Sequence, residues 1–285
     1  MTAAAQPWPR RAALFFLAGV VASIAGGAYP KISAAQGESG GLLGGAQANS
    51  PIELQAEAGI EWRRNEKQYI ARGNATAKRG DLLVQADTLT AHYRDKAAGG
   101  TEIWQIEADG HVRLQQPGRT VTGDHAVYNL DTRILTVTGK GLGVDTGKEK
   151  LTASDSLEYQ DGPQIAIARG NATVVQPNRR MRADTITGHF QRQPGGKVDL
   201  VRLEADGNVE VKTSDTYATS KKGDYDLKAD IMTLSGDVKV TNAGNQFNGE
   251  YAEVNIKTGV SRLLGSASGS GKVKSLIMPS SQPSQ

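Results

Sequence analysis

The sequence predicts an all-β protein built from two tandem antiparallel units, and three observations carry that expectation. The first is a repeat: Ala71-Arg72-Gly73-Asn74-Ala75-Thr76 returns unchanged as Ala168-Arg169-Gly170-Asn171-Ala172-Thr173, an offset of 97 residues (168 minus 71). The same offset carries Asp87-Thr88-Leu89-Thr90 onto Asp184-Thr185-Ile186-Thr187, Glu107-Ala108-Asp109-Gly110 onto Glu204-Ala205-Asp206-Gly207, and Tyr128 onto Tyr225. Laid over each other without a gap, residues 54–150 and 151–247 agree at about 28 of 97 positions, the mark of a duplicated structural unit. The second observation is period-2 alternation, described below. The third is composition: 34 glycines, few aromatics and frequent Thr, Val and Ala favour strands joined by many turns. No apolar stripe of useful length at helical spacing appears from 51 to 264. Short strands with glycines at their corners describe an all-β jelly roll or a stacked antiparallel β-sandwich.

Taken in order, the chain opens with Arg10-Arg11 and an apolar, uncharged run from Ala12 to Ala28, followed by small-residue sites ending at Ala35 and Ala48. A basic start, an apolar stretch and a small-x-small site describe a secretory signal peptide over 1–35. The competing reading is an uncleaved inner-membrane anchor; the Gly and Ala content keeps the run only mildly apolar and favours cleavage. Residues 1–35 hold Arg10, Arg11 and Lys31 and no acid. Without those three, 30 of the 33 basic residues remain against 30 acids, so the pI of about 9.0 is mostly a property of the leader. A neutral mature chain gives no support to nucleic-acid binding. Cysteine is absent, so an exported chain of this kind depends on sheet hydrogen bonds and apolar burial. Residues 36–50 read as a flexible linker and 265–285, Gly/Ser-rich and ending in Pro279-Ser-Ser-Gln-Pro-Ser-Gln, as a flexible tail. The two β units then occupy 51–150 and 151–264.

Within each unit the alternation is clearest in one strand. Trp104, Ile106, Ala108, Gly110, Val112 and Leu114 share one parity, with polar residues between them. In the second copy Val201, Leu203, Ala205, Gly207, Val209 and Val211 do the same. Side chains alternate across a strand, so one face is apolar and the other charged, as in a one-sided antiparallel sheet. The central glycine implies a bend or bulge. A second signature, apolar-x-Ala/Gly-Asp followed by an apolar residue and an aromatic, recurs at Val84–Asp87, Val121–Asp124 and Met181–Asp184, and in degenerate form at Phe247–Glu250. Its apolar positions step by three across the acid, as in Ala86 to Leu89, so the strand phase slips by one there. That slip lets short strands wrap from one sheet to the other, with the acid facing solvent or capping local N–H groups. The hexapeptide Ala71–Thr76 reads as a strand-entry element, and its sequon Asn74-Ala-Thr, like Asn171-Ala-Thr, as a turn-to-strand start rather than a glycan acceptor.

Catalytic chemistry finds little support. His92, His111, His125 and His189 have no partners at metal-ligand spacing and read as solvent-facing strand residues. The repeated aspartates could be paired carboxylates of a glycosidase, but they recur as a motif, which fits turn capping better. No G-x-S-x-G elbow and no phosphate-cradling glycine loop occur. No catalytic residue, metal or cofactor is therefore expected, and the chain does not read as an enzyme.

The recurring segments Ala-Arg-Gly-Asn-Ala-Thr, Ala86-Asp-Thr-Leu-Thr-Ala-His-Tyr93 and Ile106-Glu-Ala-Asp-Gly-His-Val112 resemble the OstA-like family of lipopolysaccharide transport proteins, over about 54 to 264. The resemblance implies an open-ended, twisted β-jelly roll in the periplasm, with an apolar groove that shelters lipopolysaccharide acyl chains. It also implies an LptC-like inner-membrane protein and an LptD-like outer-membrane protein as partners, and head-to-tail self-association. Two tandem units depart from the usual single one. An LptC-like role follows if the leader is retained.

The sequence physics is compatible: unpaired sheet edges need a partner strand, and a heterologous contact that does not close propagates. One such junction is expected within the chain near 140–160. Candidate groove-lining residues are Ile106, Val112, Leu114, Val121, Leu203, Val209 and Val211. They either line a groove or fill a closed core; polarity does not separate the two. The rival readings are an exported structural β-repeat protein with no lipid ligand and, behind it, a carbohydrate-active β enzyme.

Overall fold

Alternating apolar and polar side chains hold the backbone extended through most of the chain. The computed structural model describes residues 52–276 apart from 98, 194–197, 215, 243–244, 256–257, 259 and 269–270. The expected signal peptide, both cleavage sites and the linker lie outside the described residues. Strands β1 (Glu53–Gln55) and β2 (Ile60–Arg63) are short. They precede the long strands β3 (Gln68–Arg79), β4 (Leu82–Asp95), β5 (Thr101–Gln116) and β6 (Arg119–Asn129). Four short strands follow: β7 (Ile134–Thr138), β8 (Gly143–Asp145), β9 (Lys150–Thr152) and β10 (Ser156–Gln160). Long strands then resume as β11 (Ile165–Gln176), β12 (Arg179–Arg192), β13 (Val198–Thr213), β14 (Thr216–Asp226), β15 (Ile231–Asn242) and β16 (Asn245–Asn255). The described chain ends with β17 (Val260–Leu264) and β18 (Lys274–Leu276).

All of these strands join one antiparallel sheet, but the sheet is folded along a crease. Each long strand changes register near its middle, for example between Arg72 and Ala75 in β3 and between Asp109 and Val112 in β5. The backbone there makes two consecutive left-handed steps: Gly73 and Asn74 at φ +79° and +43°, Gly110 and His111 at +75° and +48°. Glycine reaches that region freely, and Asn, Asp and His tolerate it better than other residues. The bend divides every long strand between two wings. Wing A contains β2, β7, β10 and β17; wing B contains β1, β8, β9 and β18.

The junction between the units follows from this split. One half of β6 pairs with β7 and the other with β8, while β11 receives β10 and β9 on its two halves. β7 then pairs with β10 in wing A, from Ile134↔Gln160 to Val137↔Leu157, and β8 pairs with β9 in wing B. Hydrogen bonding therefore runs unbroken from the first unit into the second in both wings.

The acid signature lies on this crease. Asp87 Oδ2 lies 2.9 Å from His111 Nδ1, Asn208 Nδ2 donates to Asp184 Oδ2 at 2.9 Å, and the Lys140 backbone N–H donates to Asp124 Oδ2 at 2.7 Å. The step of three also follows, since Ala86, Leu89, Ala183 and Ile186 are all buried on either side of the slip.

Four expectations need correction. The crossing strands are long, 11 to 16 residues in β3–β6, because the left-handed pair bends a strand without ending its ladder. The hexapeptide Ala71–Thr76 is the bend inside β3 rather than a strand entry, and Ala168–Thr173 is the same bend inside β11. Trp104 and Val201 do not share the inward parity: a bulge on β5 pairs Tyr93 with Ile103 and His92 with Gln105, and a bulge on β13 does the same at Val201. Ile103 and Leu200 take the inward places, and the Trp104 ring lies over His92 at 5.7 Å. Finally, the tail expected to be flexible from 265 contains β18, whose residues pair with Gln246–Asn248 of β16.

Candidate functional site: the interior between the wings

The wings converge at the crease and diverge away from it, and side-chain size follows that taper. Ala71, Ala75, Ala172 and Ala183 are fully buried beside the crease, where only a methyl group fits between the wings. Farther out, wing A contributes Tyr93, Tyr128, Leu135, Tyr159, Phe190 and Tyr225, and wing B contributes Leu114, Val121, Val144, Val174 and Val211. The core cluster runs through both units.

Two cavities open inside this cluster. The larger, about 480 Å³, lies in the first unit and is lined by Tyr69, Val84, Ile103, Ile106, Leu114 and Tyr128 among others. The smaller, about 130 Å³, lies at the junction between Val121 and Val144 on one side and Tyr159, Ala166 and Phe190 on the other. Leu135 borders both. Of the seven candidate lining residues, Ile106 and Leu114 face the larger cavity, and Val121 and Leu203 face the junction. Val112, Val209 and Val211 are buried in the packed core and border neither of these two cavities. The sequence reading missed Tyr69, Ile103 and Tyr128. Ile103 was hidden by the bulge at Trp104, while Tyr128 carried a signal in its match to Tyr225.

Polar groups border this interior at a few places, among them Thr101 and Glu158 on wing A strands and charged groups on the wing B rim. Lys78 and Arg79, at the end of β3, border the larger cavity, and Arg119 and Glu149 border the junction. Arg119 donates to Gln116 Oε1, and Gln176 donates to Glu149 Oε1. Burial pulls the Arg119 guanidinium below its ordinary value, yet arginine stays charged. Burial raises the Tyr128 hydroxyl and pushes that of Tyr225 up to about 12. Phenols this far from ionisation act as neutral hydrogen-bonding groups.

The histidines stay outside this interior. His111, with a side chain 89% exposed, is raised above its ordinary value by its hydrogen bond to Asp87 and then by that carboxylate's charge. His92 and His189 are more covered than a solvent-facing reading expects, each with Nε2 at 3.2 Å from a glutamate, Glu107 and Glu204 respectively. Among the described residues, no three His, Cys, Asp or Glu side chains gather as metal ligands. The interior offers dispersion contacts and exclusion of water.

Fold and interior together define an elongated, two-winged β protein with an apolar space between its wings. The chain belongs to the family described as LptA/(LptD N-terminal domain) LPS transport protein, whose profile matches residues 55–154 and again 151–260. It is also 29% identical over 129 residues, 44% of this chain and 69% of the other, to an uncharacterized protein of Rhizobium meliloti (strain 1021). Among solved structures it aligns with LptH of Pseudomonas aeruginosa, described as the LptA homologous periplasmic component of the lipopolysaccharide transport device. That alignment has 14% identity and a TM-score of 0.20, covering 81% of this chain and 96% of LptH.

Proposed function

We propose that this chain is a non-enzymatic periplasmic carrier that shelters lipopolysaccharide acyl chains between its wings, as a segment of the bridge between inner and outer membranes. The observation that carries this reading is the apolar cavity of about 480 Å³ in the first unit, within the size range of small-ligand sites. Each methylene group moved from water into such a space contributes about 0.8 kcal/mol, so one acyl chain is held without any polar contact.

The junction supports the bridge. β1 lies on Thr76–Lys78 of β3 as β9 lies on Thr173–Val175 of β11, and β2 lies on β3 as β10 lies on β11. The first unit thus begins with the same pair of short strands that the second presents to β7 and β8. An LptC-like protein, an LptD-like protein or another copy of this chain would pair, through the same β-augmentation, with the edges that have no neighbour among the described residues, β1 and β2 at one end and β17 and β18 at the other. Such a chain is delivered by its leader, is divided near residue 150, and draws energy from a partner.

Native mass spectrometry of the periplasmically expressed chain, with lipopolysaccharide offered, tests the reading. Lipid-sized adducts are expected. Their persistent absence refutes sheltering.

A further inference from the structure

The interiors of the two units are closed to different extents at equivalent places. Ile103, Val84 and Tyr128 are partly covered and line the larger cavity. Their counterparts Leu200, Met181 and Tyr225 are 6%, 4% and 1% exposed. Two neighbouring substitutions accompany the difference. Where the first unit has Ala91, the second has Gly188, and a Cβ built there would lie 3.1 Å from Leu200 Cδ1 and 3.2 Å from Phe190 Cε2. Leu200 and the Phe190 ring thus pack against the bare glycine, with Gly188 and Phe190 also bordering the small junction cavity. In the first unit an alanine methyl stands at the position of the glycine, and Tyr93 replaces the phenylalanine. Its hydroxyl accepts a hydrogen bond from Trp62 Nε1 at 2.9 Å, holding the ring toward the β2 edge.

Charge is also unequal. Lys78 and Arg79 border the first-unit cavity, and none of its described lining residues is an acid. A cation pair beside an apolar cavity matches a molecule with an anionic head and an acyl tail.

We infer that the ligand compartment is confined to the first unit: acyl chains enter the cavity beside Ile103, the anionic head rests against Lys78 and Arg79, and the second unit, beyond the small junction cavity of about 130 Å³ that Gly188 and Phe190 border, is a closed core around Met181, Leu200 and Tyr225. This rests on the sheltering function proposed above. The second unit carries the sheet toward the next partner without holding a lipid of its own at rest.

The test uses the full chain and purified lipopolysaccharide. A photoreactive phenylalanine analogue is placed at Ile103 in one variant and at Leu200 in another, and each is irradiated with the lipid. Strong labelling at Ile103 with little at Leu200 is expected. Equal labelling at both overturns the confinement but leaves sheltering intact, whereas labelling at neither, without adducts in the mass spectrum, sinks sheltering itself. Because a bulky group at the closed Leu200 site can unfold the chain, the unmodified protein supplies a second reading. One saturable lipid adduct per chain is expected; two overturn the confinement. Ala77→Phe, which fills the first cavity, should abolish that adduct while the protein stays folded. A retained adduct overturns the assignment of the site. Lys78→Glu should weaken lipopolysaccharide binding about ten-fold, the worth of one charge-assisted contact, and leave an uncharged dodecyl detergent unaffected. Equal weakening of both overturns the headgroup placement.

Discussion

Gly110→Ala probes the crease directly, because two separate costs arise there and a second glycine isolates one of them. Gly110 has φ +75°, and an L-residue held in the left-handed region costs about 1–2 kcal/mol. A Cβ at this place would also lie 2.1 Å from Asp87 Oδ2, 2.7 Å from its Cγ and 2.9 Å from its Cβ. Turning the carboxylate away relieves the first contact but not the last, so β4 itself must shift, adding about 1–3 kcal/mol. The expected loss is therefore about 2–5 kcal/mol, a large part of a typical folding free energy. Gly118, at the β5–β6 turn, has nearly the same φ of +74° and nothing within 4 Å of a built Cβ. Gly118→Ala should show only the backbone cost, about 1–2 kcal/mol. Urea unfolding at constant slope measures both. In an Asp87→Ala background the Gly110→Ala penalty should shrink only in part, because the contact with the residue-87 Cβ at 2.9 Å remains. If the two glycine variants differ by less than about 0.5 kcal/mol in the parent chain, the crowded-crease argument is wrong.

Three further outcomes follow from the same geometry. His111 is raised by Asp87, so its contribution to stability is fully present below the ordinary value of 6.5 and is lost as pH rises through the folded value. His111→Asn, copying Asn208, should match the parent at alkaline pH and lose that pH-dependent part; a urea midpoint that still falls between about pH 5.5 and 8.5 by the parental amount refutes this. Leu200→Ala should cost about 2–5 kcal/mol and Ile103→Ala clearly less, since only Leu200 sits in a filled core; equal losses in thermal unfolding would contradict the difference in closure. Glu158→Pro removes a backbone donor from β10, which is paired on both sides by β7 and β11, and should cost about 3 kcal/mol or more. Calorimetry should then show the two units melting separately, and a single unshifted transition would mean the junction does not couple them.

Much of the fold was legible because its rules act over two or three residues. Alternation located the inward faces of β5 and β13 from Ile106 to Leu114 and from Leu203 to Val211. The phase slip at Asp87 and Asp184 located the crease, since a left-handed pair on the facing strand forces the apolar step of three. What escaped was set by longer-range geometry. The bulges at Trp104 and Val201 leave no mark in the local pattern, because an apolar residue stands at both the inward and the displaced position. The Gly-Asn pair in Ala71–Thr76 resembles a turn, and only the ladder continuing beyond it shows that β3 runs on. The difference between an open and a filled interior accompanies the methyl group at Ala91 against Gly188. Its effect is visible only once Phe190 and Leu200 are placed over it.

The crease also explains why the repeat preserves charged groups without implying catalysis. Several of the left-handed bends find a polar side-chain partner close by: Glu57, in the connection between β1 and β2, for Asn74, Asp87 for His111, and Asp184 for Asn208. At the next bend the first unit places Asp124 beside Gly139 and accepts the Lys140 backbone N–H. At the positions equivalent to Asp124 and Lys140, the second unit has Lys221 and Asp237, paired at 2.6 Å. Acid and base have exchanged places across the duplication while the bend is kept. A proton-transfer site depends on which group holds the proton and cannot tolerate that exchange, whereas a structural pair can. The crease therefore serves to hold the wings at their angle, which selects for pairing there and leaves the interior residues free to diverge between the two units.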